Sequence, residues 1–105
     1  MKPAVDDKQQ ILDLINANQR KVKSLGVTKL GLFGSFVRRE QDAHSDVDVL
    51  VEFAAGHKSF DNFMALSFLL EELFNRPVEL VTPESLSPYM KSSILNEAEY
   101  VALSP

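Results

Sequence analysis

Two short apolar runs, Lys29 to Phe33 and Val47 to Phe53, read as buried strands, and the chain joining them most constrains the fold. Gly34-Ser35 leaves the first run, ten residues follow, and Asp46-Val47-Asp48 opens the second. A glycine after a strand permits a tight turn and close approach of a ligand to the backbone. Amides at the start of a following helix, helped by a serine hydroxyl, form an anion site. Side chains two residues apart on a strand share one face, about 7 Å apart, so Asp46 and Asp48 converge on one patch. Magnesium takes carboxylate, phosphate and water oxygens, and two carboxylates on a rigid strand start meet that need. Alone, an Asp-x-Asp triplet is more often a solvated strand end, and a Gly-Ser pair an ordinary turn with Ser35 as N-cap. Together, on consecutive strands, they form a candidate site for a metal-bound nucleoside triphosphate.

The flanking sequence predicts a mixed α/β domain. Asp6 or Asp7 caps a helix running to about Ser24-Leu25-Gly26, with Ile11, Leu14, Ile15, Val22 and Leu25 on one face. Gly26 suits a left-handed C-terminal position. Val27 to Phe33 is the first strand and Phe36 to Glu40 a short helix. Gln41 to Ser45 is a polar loop and Val47 to Phe53 the second strand, with Val47, Val49 and Val51 opposite Asp46, Asp48, Leu50 and Glu52. Ser59 caps a helix over Phe60 to Phe74 that is apolar around much of its circumference. Such a helix is buried on more than one side or carries a partner interface. Val78 to Thr82 is the third strand, and Pro88 opens a last helix to about Glu97. Tyr100 to Leu103 is read as a terminal strand or a docked tail. The expected order is α-β-α-β-α-β-α, with helices packed on a small sheet, in one domain over 1–105.

Composition narrows the function classes. The net charge is -4, and the local basic clusters are Arg20-Lys21-Val22-Lys23 and Arg38-Arg39. Autonomous tight binding to nucleic acid is disfavoured, and contact through a partner remains open. The chain has no cysteine, which removes a disulfide framework and a thiolate zinc site and fits the cytosol. Met1 to Gln10 is polar and is not read as a signal peptide, and no apolar run approaches membrane-spanning length.

A third acid would complete the site. Glu52 shares the aspartate face but lies four residues beyond Asp48, roughly 13 Å along the strand, and is too far. Glu79 sits between Val78 and Leu80 on the next strand, where an acid among apolar neighbours needs a partner. His44 and His57 are isolated in polar loops, and Ser45 reads as a local turn residue.

Taken together, Gly34-Ser35 and Asp46-Val47-Asp48 within GLFGSFVRREQDAHSDVDVLVEF resemble the DNA polymerase β-type nucleotidyltransferase superfamily, in particular its minimal nucleotidyltransferase (MNT) branch. The likeness spans roughly Val27 to Val81 with flanking helices. It implies that Gly34 and Ser35 bind the triphosphate and that Asp46 and Asp48 hold magnesium, two ions in all. Glu79 stands where the third acid, usually Asp, is found. Arg38 falls where the family often has an arginine, to contact phosphate or pair with an acid on the second strand. The next position is often Gly, and Arg39 here reads as a surface difference.

The resemblance implies transfer of a nucleoside monophosphate, AMP from ATP, to a hydroxyl of a partner protein. MNT-type chains work beside a HEPN-family partner as antitoxins, and the long apolar helix and the acidic charge fit a protein partner. Two alternatives stay open: transfer to a small molecule or RNA end, and a binding module that neutralises its partner by contact alone. The apolar helix surface would serve a homo-oligomer equally well.

Overall fold

The computed structural model describes residues 3–103, so Met1, Lys2, Ser104 and Pro105, and with them part of the polar N-terminal reading, lie outside the described residues. The expected first helix is two helices, α1 (Lys8–Ala17) and α2 (Gln19–Ser24). Asp7 caps α1, its carboxylate accepting from the Gln10 N–H at 2.8 Å. Asn18 breaks the run: its Nδ2 donates to the Leu14 carbonyl at 2.8 Å, so a side chain competes for a carbonyl of the helix. Ile11, Ile15 and Val22 remain buried across the break. Gly26 follows at φ +84, where an added Cβ would meet the His57 ring, 2.8 Å from Cγ.

The remaining elements are β1 (Val27–Phe33), α3 (Ser35–Arg38), β2 (Val47–Phe53), α4 (Phe60–Phe74), β3 (Val78–Val81), a 3-10 turn at Pro83–Ser85, α5 (Pro88–Glu97) and β4 (Glu99–Val101). Of the C-terminal segment left open by the sequence, Tyr100 and Val101 lie in a strand, while Ala102 and Leu103 follow it outside the sheet. The four strands lie in the order β3-β2-β1-β4. β1 pairs antiparallel with β2 and with β4, where Leu30 faces Val101, and β2 pairs parallel with β3. The architecture is the expected mixed α/β, with helices on a small mixed sheet.

The two sheet faces differ, as the period-2 pattern of β2 requires. Val47, Val49 and Val51 join Ile11, Ile15, Val22, Leu66, Leu70 and Phe74 in the main core, so α1, α2 and α4 cover one face. On the other face Phe33, Leu50 and Ile94 form a small second cluster beneath α5. Asp48 shares that thinly covered face. Phe68 of α4 is 63% exposed, so one side of this apolar helix is open to solvent. Among the described residues no helix is long and apolar enough to cross a membrane.

Candidate active site

Strand register assembles the site. Phe33 at the end of β1 faces Asp48 near the start of β2, and Asp48 faces Glu79 on β3. One end of the sheet therefore brings together the residue after Phe33, namely Gly34, with Asp48 and Glu79. Gly34 sits at φ 80 and ψ -153, a conformation essentially reserved for glycine. An added Cβ there would run into the Asp48 carboxylate, with Asp48 Cγ at 2.9 Å. The glycine is needed both for its backbone and for the room it leaves Asp48.

Gly34, Arg38, Asp48, Glu79, Tyr89 and Glu97 are among the residues lining a cleft of about 440 Å³ between the sheet and α5. Asp46 and Ser35, also expected at the site, are not on its lining. Asp46 is exposed one residue before β2, and Ser35 is the half-buried first residue of α3. The loop delivering Asp46 is locally ordered: the Ser45 hydroxyl accepts from the Asp42 N–H at 2.8 Å, and the Asp42 carboxylate accepts from the His44 N–H at 2.8 Å.

Electrostatics single out Asp48. Burial comes first, then a hydrogen bond to Glu79 and the charges of Glu79 and Asp46; together they push its carboxyl up from 3.8 to about 7, against the opposing pull of Arg38. Such a carboxyl is divided between its protonated and ionised forms near neutrality, its acidic neighbours only partly offset by Arg38. Carboxylate oxygens are the hard donors that magnesium takes, and this imbalance is one that a divalent ion relieves. Among the described residues no group of three acids or histidines is gathered tightly enough to hold an ion as it stands. The donor chemistry fits magnesium, with Asp48 and Glu79 side by side and Asp46 the exposed third member.

Arg38 does not pair with an acid on the second strand. Its Nε donates to Glu40 at 2.7 Å and its Nη1 to Glu97 at 2.9 Å, which keep the guanidinium firmly charged. Arg39 is more than a surface difference. It caps α3 at φ 59 and ψ 38, a left-handed position that favours Gly.

Two positioning residues escaped the sequence reading. Glu97, at the end of α5, accepts from the Gly34 N–H at 2.9 Å and pairs with Arg38 through its other oxygen. Its carboxyl is held below the usual range, first by the Gly34 N–H and then by Arg38. Arg76, between the end of α4 and β3, is buried. Its Nε donates to the Val5 carbonyl at 2.7 Å, and its Nη1 to the carbonyls of Asp42 and Ser45 at 3.0 and 2.9 Å. Its guanidinium lies 5.1 Å from the centroid of the Phe36 ring. The only sequence signal for Arg76 was its place before Pro77 at the end of the long helix, and Glu97 carried none.

Residues 12–101 match the nucleotidyltransferase domain model. The chain belongs to the nucleotidyltransferase domain family. This nucleotidyltransferase is 41% identical over 88 residues to a provisionally named protein adenylyltransferase of Methanocaldococcus jannaschii, a match covering 80% of this chain and 94% of the relative. The protein adenylyltransferase MntA of Thermococcus cleftensis is 35% identical over 94 residues, covering 89% and 94%. Among solved structures, a provisionally assigned minimal nucleotidyltransferase superposes with a TM-score of 0.71 at 29% identity, covering 92% and 98% of the two chains. A chain from the complex of a tri-AMPylated Shewanella oneidensis HEPN toxin with its MNT antitoxin gives a TM-score of 0.55 at 19% identity, covering 85% and 72%, a likeness of fold. The expected family and fold class are borne out.

Proposed function

We propose that this chain, a single domain over 1–105, moves AMP from ATP to a hydroxyl of a partner protein, and that it is the antitoxin of a HEPN-type toxin. The observation that carries the reading is the Asp48 carboxylate packed against a glycine-only turn and beside Glu79, on the lining of one cleft. The names of the Methanocaldococcus and Thermococcus relatives support the reaction, and the Shewanella complex supports the partner class.

In this reading Gly34, Ser35 and Arg38 hold the β- and γ-phosphates, a role suited to backbone amides and a guanidinium. The acceptor oxygen forms a bond to the α-phosphorus as the bond to the leaving pyrophosphate breaks, and Glu79 takes the acceptor proton. Asp46, Asp48 and Glu79 would hold two magnesium ions, which supply charge stabilisation at the attacking and leaving oxygens. A second reading, neutralisation by contact alone, draws on the absence of a preassembled three-acid group among the described residues.

The test is label transfer from α-labelled ATP to a co-expressed HEPN partner in magnesium. Loss of labelling and of neutralisation together in the Asp46→Asn, Asp48→Asn double variant supports the enzymatic antitoxin. Neutralisation that survives in that variant favours the contact-only reading. Label on an RNA end or small hydroxyl compound instead of the partner overturns the acceptor assignment.

A further inference from the structure

Glu97 does what a phosphate would do at the turn. One of its oxygens accepts from the Gly34 N–H at 2.9 Å and the other from Arg38 Nη1 at 2.9 Å. A two-oxygen anion bridging a backbone amide and a guanidinium is how such donors grip a phosphoryl group. We infer that Glu97 is an internal ligand of the phosphate cradle, a carboxylate that polyphosphate must displace, and that it sets the charge a ligand needs to enter. This rests on the reading of Gly34 and Arg38 as phosphate donors.

Three features support the exchange. Gly34 is buried, so its N–H needs an acceptor whenever no ligand is present, and Glu97 supplies one. The contact favours the ionised form of Glu97, as expected for an anion in an anion site. The arm that carries the accepting carboxylate is anchored at one end only. Ile94 is the one buried residue of α5, and Glu97 is that helix's last residue. Rotation of the side chain, or a small shift of α5, frees both donors.

Displacement sets a threshold. Glu40 and Glu97 already neutralise Arg38, so a lone phosphate gains little by replacing one of them. A triphosphate brings more charge and further contacts and can replace Glu97. If the carboxylate occupies the cradle about nine-tenths of the time, apparent affinity falls roughly tenfold.

A structural role for Glu97 predicts the opposite sign. If the residue merely holds Gly34 and Arg38 in place, removing it weakens phosphate binding. Calorimetric titration of the full chain with α,β-methylene-ATP and with inorganic tripolyphosphate, in magnesium, separates the two. The expected result is about tenfold tighter binding of both probes to Glu97→Gln and Glu97→Ala, with inorganic phosphate becoming detectable. Circular dichroism and melting confirm that each variant is folded. Equal or weaker binding by both folded variants overturns the inference and leaves the nucleotide reading intact. Failure of the wild type and both variants to bind either probe sinks the nucleotide reading, and the inference with it.

Discussion

Asp48→Asn should make the metal-free protein more stable at neutral pH while removing transfer activity. In the fold the Asp48 carboxyl is pushed from 3.8 to about 7, first by burial and then by Glu79 and Asp46. The native state therefore binds more protons than the unfolded chain between those values, and the stability contributed by this group falls as pH rises through that window. At about 1.4 kcal/mol per pH unit the full span is an upper bound near 4 kcal/mol. Asp48 is half-exposed, and screening by solvent brings a realistic figure down to about 1–2 kcal/mol. Asparagine has nearly the same shape and no charge, so it removes that penalty above pH 7 and nothing near pH 4. For a domain of this size the gain is a rise in Tm of roughly 5–10 °C. Thermal unfolding followed by circular dichroism in EDTA, at pH 4 and pH 7.5, reads it directly. A variant less stable than wild type at pH 7.5, or equally shifted at both pH values, would refute the reasoning. Magnesium should then raise the Tm of the wild type at pH 7.5 and leave the variant's nearly unchanged.

Gly34→Ala should destabilise by about 2–4 kcal/mol and abolish transfer, because it combines a glycine-only conformation with a clash against Asp48; denaturant melts and label transfer check both. Arg76→Ala should cost about 2–4 kcal/mol, since three buried or half-buried carbonyls lose their donor, and it should impair transfer beyond the stability loss because the loop before Asp46 slackens; melting and kinetics on the folded fraction test it. Arg39→Gly should stabilise by about 0.5–1 kcal/mol by relieving a left-handed residue, with activity unchanged; a lower denaturant midpoint would contradict the strain argument.

The parts of the site that lie on one strand or turn were legible. Gly34, Asp48 and the face alternation of β2 follow from local pattern alone, and Glu79 followed from an acid set in an apolar strand. Asn18 shows the limit of periodicity: the apolar spacing continues through it, and only the side chain's bond to Leu14 reveals the break. Arg39 shows a second limit, since its meaning lies in a dihedral angle rather than a contact. Glu97 and Arg76 are partners of groups 63 and up to 71 residues away, and no local pattern encodes a bond of that separation. Both residues orient the site from outside the motif that announces it.

Charge around the cleft leads to one more expectation. Asp48, Glu79 and Glu97 line the cleft together with a single arginine, Arg38, which Glu97 and Glu40 already neutralise. An unaccompanied triphosphate meets a field of its own sign, and like charges within about 6 Å oppose binding as they oppose ionisation of Asp48. Affinity for α,β-methylene-ATP should therefore fall at least tenfold when magnesium is replaced by EDTA. High salt should ease part of that loss, because it screens the exposed carboxylates. Removing a carboxylate should ease it as well, so Glu79→Gln should bind the probe in EDTA more tightly than wild type while losing transfer in magnesium. An affinity indifferent to magnesium would mean that the acids do not face the phosphates. The cleft would then be no place for a triphosphate, whatever the turn at Gly34 resembles.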